Sequence, residues 1–484
     1  MKNLHTIFIL FIALALAACA NIAPITTPLP STATIFPPTQ KIAPTNTRAQ
    51  NTATALRSTA TTIPVTDTLA SPTRTPTSAA TAMPATRTPI PIAGLPGETL
   101  ADWETFVASL ASGADAQARV NDFWNTVTQA RRVPLVLNDA VIFLYKGDAA
   151  SVLWRGDFSF WQLGKGIDGT RVGETDLWYG VAKFPRDSRT EYEILLNGTQ
   201  ALNDPANPHK HKSAFGYNSI LEMPEFQVTD FSKRRANVPQ GTLTDWTRIE
   251  SQAWGAPLNY RVYTPPNYES LENLPVVYIT DGNDFSDPKM SGTPAIIDNL
   301  IAAEKISPLI AVFIDARNPN NLRDNQREKQ FLARPEDFAA FIATELVPHI
   351  DATYHTDASR SGRTLMGVSY GGAFTTYAGL RYQDVFGRLA IFSPAYWVYQ
   401  SQVAAGAPRM SAFVNKALET RGGAPLKIFL SGGVPGWDVG DLKPMAERFR
   451  KHGDAVEIFH SQEGHSWSAW SGLTDEMLEY LFGE

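Results

Sequence analysis

The sequence of 484 residues contains a single cysteine, Cys19. One thiol cannot form a disulfide within the chain, which excludes the class of secreted domains that disulfides hold together. The chain has no basic excess either, because 42 Lys and Arg residues stand against 48 Asp and Glu residues. Without a basic stripe we expect no nucleic-acid partner. The hydrophobic share of 43% and the charged share of 19% are those of an ordinary globular protein.

The sequence also has few long apolar runs. An apolar run at residues 7–17 is too short to span a bilayer comfortably. It leads into Leu-Ala-Ala-Cys at residues 16–19, so residues 1–18 are predicted to be a lipoprotein signal peptide. Cys19 would then be lipidated and become the new N-terminus. The alternative is an incidental cysteine in an ordinary signal. We expect the protein to be lipid-anchored to a membrane and to face the extracellular or periplasmic side.

The next segment, residues 19–95, consists largely of Thr, Pro, Ala and Ser. It contains too little apolar bulk to offset the entropy of ordering, and its prolines favour extended chain. We predict a disordered stalk that holds the folded part away from the lipid. The remaining residues, about 390, suffice for two or three domains.

Residues 96–240 begin with helical spacing at 101–131 and continue as short strands between Gly, Asp and Asn turns. This texture predicts a small β-sandwich. Trp154, Trp161 and Trp178 either stack on a sugar or belong to the core, and core is the commoner outcome for aromatic residues in sandwich strands. The predicted strands are residues 140–145, 151–154, 177–182 and 190–196.

Residues 241–484 alternate short apolar runs with helical patterns, notably at 335–350 and 447–451. Apolar runs of this kind suit a sheet that is buried on both faces, so we predict an α/β three-layer sandwich. In such sheets a site lies at the carboxyl ends of the strands. The predicted strands are residues 260–264, 275–280, 309–314, 364–368, 389–392, 426–430 and 456–460.

A Gly-x-Ser-x-Gly sequence at residues 367–371 stands between the run at 364–368 and a helical pattern. It has the form of a nucleophile elbow, in which glycines leave room for a strained turn at the serine. Ser369 is therefore the candidate nucleophile. An oxyanion beside it would meet the N–H groups at the helix N-terminus, which predicts an oxyanion hole from Tyr370 and from Gly282 or Asn283 after an earlier strand.

A serine hydroxyl needs a general base, and the base needs an acid to orient it. His465 lies in a loop just past the last predicted strand and is the candidate base. Asp438 follows the turn after the strand at 426–430 and is the preferred acid. Asp441 is the alternative, although it could cap the next helix instead. This chemistry requires no cofactor. We also expect no metal, because the two histidines at 209–211 lack a cluster of further ligands.

The sequence resembles the esterase D branch of the α/β-hydrolase superfamily, which contains enterochelin esterases and feruloyl esterases. The resemblance rests on residues 278–282, 345–348, 367–372, 392–397 and 464–467. Tyr370 departs from the family, which more often has leucine or methionine there. Residues 145–147, 154–157, 176–178 and 202–208 resemble the immunoglobulin-like N-terminal domain of enterochelin esterases, which is related to glycogen-binding modules.

The resemblance implies an α/β-hydrolase fold preceded by an immunoglobulin-like all-β domain. It implies a serine carboxylic-ester hydrolase that acts through a Ser-Asp-His triad and an acyl-enzyme. The substrate would be a siderophore ester or a feruloyl or acetyl ester linked to polysaccharide. Aromatic residues near the elbow would stack on an aromatic acyl group or form a core rim, and the candidates for contact are Trp397, Trp437 and Trp467.

Three further interpretations stay open at this point. Arg317, Arg323 and Arg327 in the loop at 316–330 either pair with an anionic ligand or are solvated. The protein could instead be a glycan- or siderophore-binding lipoprotein with a catalytically silent hydrolase scaffold. It could also be an acyltransferase, since transfer to a sugar hydroxyl would use the same residues.

Overall fold

The computed structural model of the protein describes residues 94–213, 216–396, 410–434, 436–440 and 442–483. Cys19, Trp397 and Asp441 lie outside these residues, as do the predicted signal peptide and nearly all of the predicted stalk. The described residues lie in a single compact unit. None of the helices in these ranges is long and apolar enough to cross a membrane.

Two helices and two antiparallel sheets form the N-terminal region in layers. The helices are α1 (Leu100–Ala111), which begins at a capping box between Thr99 and Asp102, and α2 (Ala116–Gln129). The strands run in the orders β1-β2-β6-β5 and β4-β3-β7-β10-β9, with β8 paired to β7. They are β1 (Leu135–Val136), β2 (Val141–Lys146), β3 (Val152–Gly156), β4 (Ile167–Asp168), β5 (Thr170–Arg171), β6 (Leu177–Ala182), β7 (Arg189–Leu196), β8 (Gln200–Leu202), β9 (Lys210–Ser213) and β10 (Gly216–Glu222).

Alternation along β2 explains how these layers pack. Ile142 and Leu144 point to one face, against the helices, and Phe143 points to the other face, against the second sheet. Trp154 and Trp178 are buried in that second core, so they serve packing and not the sugar contact considered above. The helices and strands confirm the helical start and the strands predicted here. The immunoglobulin-like topology stays a prediction.

A nine-stranded sheet organises the C-terminal region in the order β11-β13-β15-β14-β18-β19-β20-β21, with β12 paired to β13. The six strands from β15 to β21 in this order are parallel, and the antiparallel strands lie at one edge. The predicted strands are all present. The strands are β11 (Thr242–Leu243), β12 (Thr247–Glu250), β13 (Pro257–Thr264), β14 (Val276–Ile279), β15 (Ile310–Ile314), β18 (Arg363–Val368), β19 (Arg388–Phe392), β20 (Lys427–Gly432) and β21 (Ala455–His460), with a separate hairpin of β16 (Arg317–Asn318) and β17 (Asn321–Asn325).

Helices cover both faces of this sheet because its strands are apolar on both sides. Val276 and Tyr278 of β14 point into one core, and Val277 and Ile279 point into the other. The fold is therefore mixed α/β with layers of helices around a central sheet, as predicted. The helices are α3 (Gly282–Phe285), α4 (Thr293–Ala302), α5 (Pro335–Ala340), α6 (Val347–Thr353), α7 (Tyr370–Arg381), α8 (Met410–Thr420), α9 (Lys443–Lys451), α10 (Trp467–Gly472) and α11 (Thr474–Phe482).

Five single-turn 3-10 segments and two wider π-type segments complete the described structure. The π-type segment between α5 and α6 makes the predicted helix at 335–350 continuous from α5 through α6. The 3-10 segments are Asp157–Ser159, Leu163–Lys165, Asp230–Ser232, Tyr268–Ser270 and Arg360–Gly362, and the π-type segments are Lys329–Ala333 and Phe341–Leu346.

Candidate active site

Ser369 stands at the sharp turn between β18 and α7. Its backbone has φ 57° and ψ −117°, a region that is costly for any residue with a side chain. Glycines next to it leave the space that the turn requires. A Cβ atom on Gly367 would lie 2.6 Å from Thr375 Oγ1, and one on Gly372 would lie 2.6 Å from the carbonyl oxygen of Phe392. The predicted elbow is therefore present as a strained strand-to-helix turn.

His465 and Asp438 meet Ser369 from the loops after β21 and β20. The distance from His465 Nε2 to Ser369 Oγ is 2.9 Å, and that from His465 Nδ1 to Asp438 Oδ1 is 2.6 Å. Because an ionised carboxylate only accepts hydrogen bonds, Nδ1 carries a hydrogen and donates a hydrogen bond to Asp438. A neutral imidazole then has Nε2 available to accept the serine proton. The structure thus brings the three predicted side chains into one hydrogen-bonded chain.

The Asp438 carboxylate is fully buried, with 0% of its side chain exposed. Its Oδ2 accepts hydrogen bonds from Ser393 Oγ at 2.7 Å and from the Gly433 amide at 2.6 Å. Burial alone would raise the pKa of Asp438, but the charge and hydrogen bond of His465 and the bond from Ser393 lower it below its ordinary value. Trp470 Nε1 in turn donates to Ser393 Oγ at 3.0 Å. Sequence reasoning missed these supports, and their only signal was the position of Ser393 directly after β19.

The residues predicted for an oxyanion hole lie on two adjacent loops. Tyr370 is the first residue of α7, so its backbone N–H lies in the first helical turn beside Ser369. Gly282 and Asn283 begin α3, which is separated from the end of β14 by two residues, and β14 is the neighbour of β18 in the sheet. The side-chain oxygen of Asn283 accepts a hydrogen bond from the Ala316 amide at 3.2 Å, which fixes the start of α3 against the end of β15.

Two of the three arginines in the loop at 316–330 pair with aspartates of the chain itself. Arg327 makes two hydrogen bonds to the fully buried Asp281, at 2.7 and 3.0 Å, next to the elbow. Arg317 does the same with Asp315, at 2.8 and 2.9 Å. Neither arginine is simply solvated, because each neutralises a carboxylate that would be costly to bury alone. Arg323 lies exposed on β17.

The aromatic residues predicted to contact a substrate occupy different environments. Trp437 is half-buried, and its ring packs edge-on against Phe184 of the N-terminal region, with ring centroids 5.5 Å apart. Trp467 is only 6% exposed and packs against Phe285 and Trp470 in the core, so its ring does not line an open site. Trp467 therefore belongs to the core and not to a substrate-binding surface.

Phe160, which sequence reasoning missed, lies next to the candidate base. Its ring centroid is 6.3 Å from that of His465, although residues 160 and 465 are 305 positions apart in the chain. Its backbone has φ 51°, another costly conformation for a residue with a side chain. No local pattern could indicate this contact, because it depends on how the N-terminal region packs against the sheet.

The described residues offer no cluster of three or more His, Cys, Asp or Glu side chains that could hold a metal ion. Of the histidine pair at 209–211, His211 is half-buried on β9. Its Nδ1 lies 3.4 Å from Glu191 Oε1.

Comparison with known proteins addresses the C-terminal region. Residues 251–481 match the family model named Esterase. We call this part of the chain the esterase region, and it contains Ser369, Asp438 and His465. The chain is 29% identical over 238 residues to an endo-1,4-beta-xylanase/feruloyl esterase from Xylanibacter ruminicola, covering 48% of this chain and 32% of the relative. It is 28% identical over 247 residues to an iron(III) enterobactin esterase from Escherichia coli, covering 50% of this chain and 56% of that one.

The fold extends the likeness beyond the esterase region. A crystal structure of the ferric enterobactin esterase from Salmonella typhimurium superimposes with a TM-score of 0.56 at 18% identity, covering 71% of this chain and 93% of that chain. The two proteins share a fold. The chain spans only a third to just over half of the length of the two curated relatives. The enterochelin/feruloyl esterase-like family predicted from the motifs is confirmed.

Proposed function

We propose that the protein is a serine carboxylic-ester hydrolase that acts outside the cytoplasm. The observation that carries the proposal is the hydrogen-bonded chain from Ser369 through His465 to Asp438, at 2.9 and 2.6 Å, on a strained elbow. A buried carboxylate, an oriented imidazole and a serine at a helix N-terminus together supply nucleophile, base and orienting acid. The match of residues 251–481 to the Esterase family model supports the same reaction class.

The proposed reaction proceeds in two halves. His465 takes the proton of Ser369 as its Oγ attacks the ester carbonyl, and a tetrahedral intermediate forms. The imidazolium, held by Asp438, returns the proton to the leaving alcohol as the carbon–oxygen bond breaks. Water then attacks the acyl-enzyme with His465 again as the base. The acid is released, and Ser369 regains its proton.

The negative charge of the intermediate would be stabilised by backbone N–H groups. We assign this role to Tyr370 and to Gly282 or Asn283, on the two loops that border the elbow. The dipole of α7, which runs over the twelve residues Tyr370–Arg381, adds a positive potential at the same point.

For the substrate we propose an ester of an aromatic acid, either a catecholate siderophore or a feruloyl ester on polysaccharide. The curated relatives named above are enzymes for an iron(III) enterobactin ester and for feruloyl esters. Trp437 and Phe160 flank the loop of His465 and offer aromatic surface for such an acyl group. An acetyl ester would leave that surface unused.

For the location we propose a lipid anchor on Cys19, with the stalk between the anchor and the folded region. The support is the signal-like sequence at residues 1–18 and the Thr- and Pro-rich composition after it. The immunoglobulin-like nature of the region at 96–240 is likewise a proposal, and so is any sugar binding by it.

The test compares the full-length protein with Ser369→Ala on p-nitrophenyl acetate, methyl ferulate and ferric enterochelin. We expect wild-type cleavage of at least one ester and, for the variant, a loss of kcat by about 10⁶-fold. Activity retained by the variant would refute the assignment of Ser369. Tight binding of a siderophore or glycan by both proteins without cleavage would instead favour the binding-protein alternative. Formation of a new ester when an acceptor alcohol is added would identify acyl transfer.

A further inference from the structure

The loop that carries His465 is tied to the loop of the acid. Residues 461–466, which we call the histidine loop, join β21 to α10. The His465 amide donates to the carbonyl oxygen of Trp437 at 3.2 Å, and the carbonyl oxygen of Glu463 accepts from the Val434 amide at 2.8 Å. These bonds come from within the esterase region. They do not involve the side of the histidine loop that faces the N-terminal region.

The N-terminal region holds that side through Arg189, the first residue of β7. The backbone N–H of Arg189 donates to the carbonyl oxygen of Gln462 at 2.9 Å. Its guanidinium Nε donates to Glu463 Oε2 at 2.8 Å. One residue thus makes both a main-chain and a side-chain bond to two consecutive positions of the histidine loop.

The next two positions of the loop also contact the N-terminal region. Gly464 lies so close to the Asp157 side chain that a Cβ atom on Gly464 would overlap it. His465 follows, with the Phe160 ring 6.3 Å away. Four consecutive residues, 462–465, are therefore in contact with one surface of the N-terminal region. A linker that merely passed a neighbouring domain would not show such continuous contact.

The Glu463 side chain contacts both β7 of the N-terminal region and α10 of the esterase region. Its side chain is only 4% exposed, and Arg189 is 13% exposed. The same oxygen that accepts from Arg189 also accepts from Ser468 Oγ in α10 at 2.6 Å. A carboxylate this buried is costly without a cation beside it, so Arg189 both neutralises Glu463 and fixes its direction.

We propose that Arg189 is a positioning residue for the ester hydrolysis, acting from the N-terminal region through Glu463 on the histidine loop. Arg189 touches no reacting atom. By holding Glu463 and Gln462 it keeps His465 at hydrogen-bond distance from Ser369. The inference rests on the proposed function, because the role exists only if His465 serves as the base. Since a misplacement of about 1 Å can cost about 100-fold in rate, loosening the loop should lower kcat more than it changes KM.

The test uses four variants of the full-length protein with p-nitrophenyl acetate. Arg189→Met removes the charge and the donors at similar volume, and we expect kcat to fall by about 10- to 100-fold with KM little changed. Adding Glu463→Gln removes the buried charge left behind, so the double variant should recover thermal stability but not kcat. Arg189→Lys keeps the charge but replaces the planar guanidinium with a compact, freely rotating ammonium, and kcat should be intermediate.

The matched control is Lys212→Met, which removes another ion pair between the same two regions. Lys212 pairs with Asp287 rather than with the histidine loop, so kcat should stay at the wild-type value. Wild-type kcat in the double variant would show that Arg189 only stabilises the fold, and the inference would be lost. If Arg189→Met does not fold, a wild-type kcat in Arg189→Lys would decide against the inference in the same way, because the fixed direction that the guanidinium gives to Glu463 would be unnecessary.

The outcomes separate this inference from the proposed function. If the wild type shows Ser369-dependent cleavage and the Arg189 variants match it, only the positioning role is refuted. If the wild type cleaves no ester at all, both are refuted.

Discussion

At the scale of single residues, the site depends on which atom of His465 carries a proton. Asp438 decides this, because its Oδ1 lies 2.6 Å from Nδ1 and it is held by Ser393 and by the Gly433 amide on its other oxygen. An asparagine in its place would present an N–H₂ group or a weaker acceptor to the imidazole. The tautomer that leaves Nε2 free to accept would no longer be favoured.

We therefore expect Asp438→Asn to lower kcat on the best ester by about 10⁴-fold, the size seen for the equivalent change in a serine protease. The measurement is steady-state kinetics at pH 7, with the exposed Asp384→Asn as a control that should keep wild-type kcat. If Asp438→Asn stayed active and Asp441→Asn lost as much activity, the role of the acid would pass to Asp441.

Some residues of the site could be predicted from the sequence, and others could not. Ser369, His465 and Asp438 were found because an elbow motif and the order of strands constrain them locally. Trp467 was assigned to a substrate contact because a tryptophan two residues after the base is adjacent in sequence. Burial of Trp467 against Phe285 depends on where α10 packs, and no pattern of residues next to it contains that information.

At the scale of elements, the short helix α3 combines the proposed oxyanion hole with an unusual carboxyl group. Burial, followed by the charge of Asp281, raises the pKa of Asp284 to about 7, and the positive charges of Arg327 and Arg317 only partly oppose this. The folded protein therefore retains a proton on Asp284 up to about pH 7, whereas the unfolded chain loses it near the ordinary value of 3.8. Between these two values, stability falls as the pH rises.

We expect Asp284→Asn to remove this fall. Melting temperatures measured between pH 5 and pH 8 should decline less steeply in the variant than in the wild type, because asparagine cannot ionise. The exposed Asp384→Asn should keep the wild-type slope. An unchanged slope in Asp284→Asn would show that the carboxyl group is solvated and ionises normally.

The elements themselves were largely predictable from the sequence. Strands β14, β15, β18, β19 and β20 are short apolar runs, and burial of such runs on both faces is what a parallel sheet between helices requires. The continuous helix from α5 to α6 was predicted as well, but not its π-type segment at Phe341–Leu346. A wider turn of this kind arises from tertiary packing and not from helical spacing.

At the scale of the whole molecule, the described structure joins the N-terminal and esterase regions by polar contacts at several points. Arg189 bonds Glu463, Lys212 pairs with Asp287, and Thr229 bonds Asp475. The partners in these contacts come from sequence positions far apart. The sequence predicted residues 96–240 and 241–484 as separate domains, because composition and residue spacing contain no information on contacts between residues so far apart in the chain.

We expect the two regions to unfold together. Differential scanning calorimetry of the full-length protein should give one transition, with calorimetric and van't Hoff enthalpies that agree. Tryptophan fluorescence and far-ultraviolet circular dichroism should follow the same curve. Two resolved transitions, or probes that disagree, would contradict a shared cooperative unit.

The bond between Arg189 and Glu463 spans 274 positions of the chain. A ribosome makes the chain from the N-terminus, and domains generally fold as they emerge. Arg189 and the other residues that receive the histidine loop are therefore synthesised well before His465. Because Ser369, Asp438 and His465 all follow Arg189 in the chain, hydrolytic competence would appear only after residues 462–465 have been made and have packed against the N-terminal region.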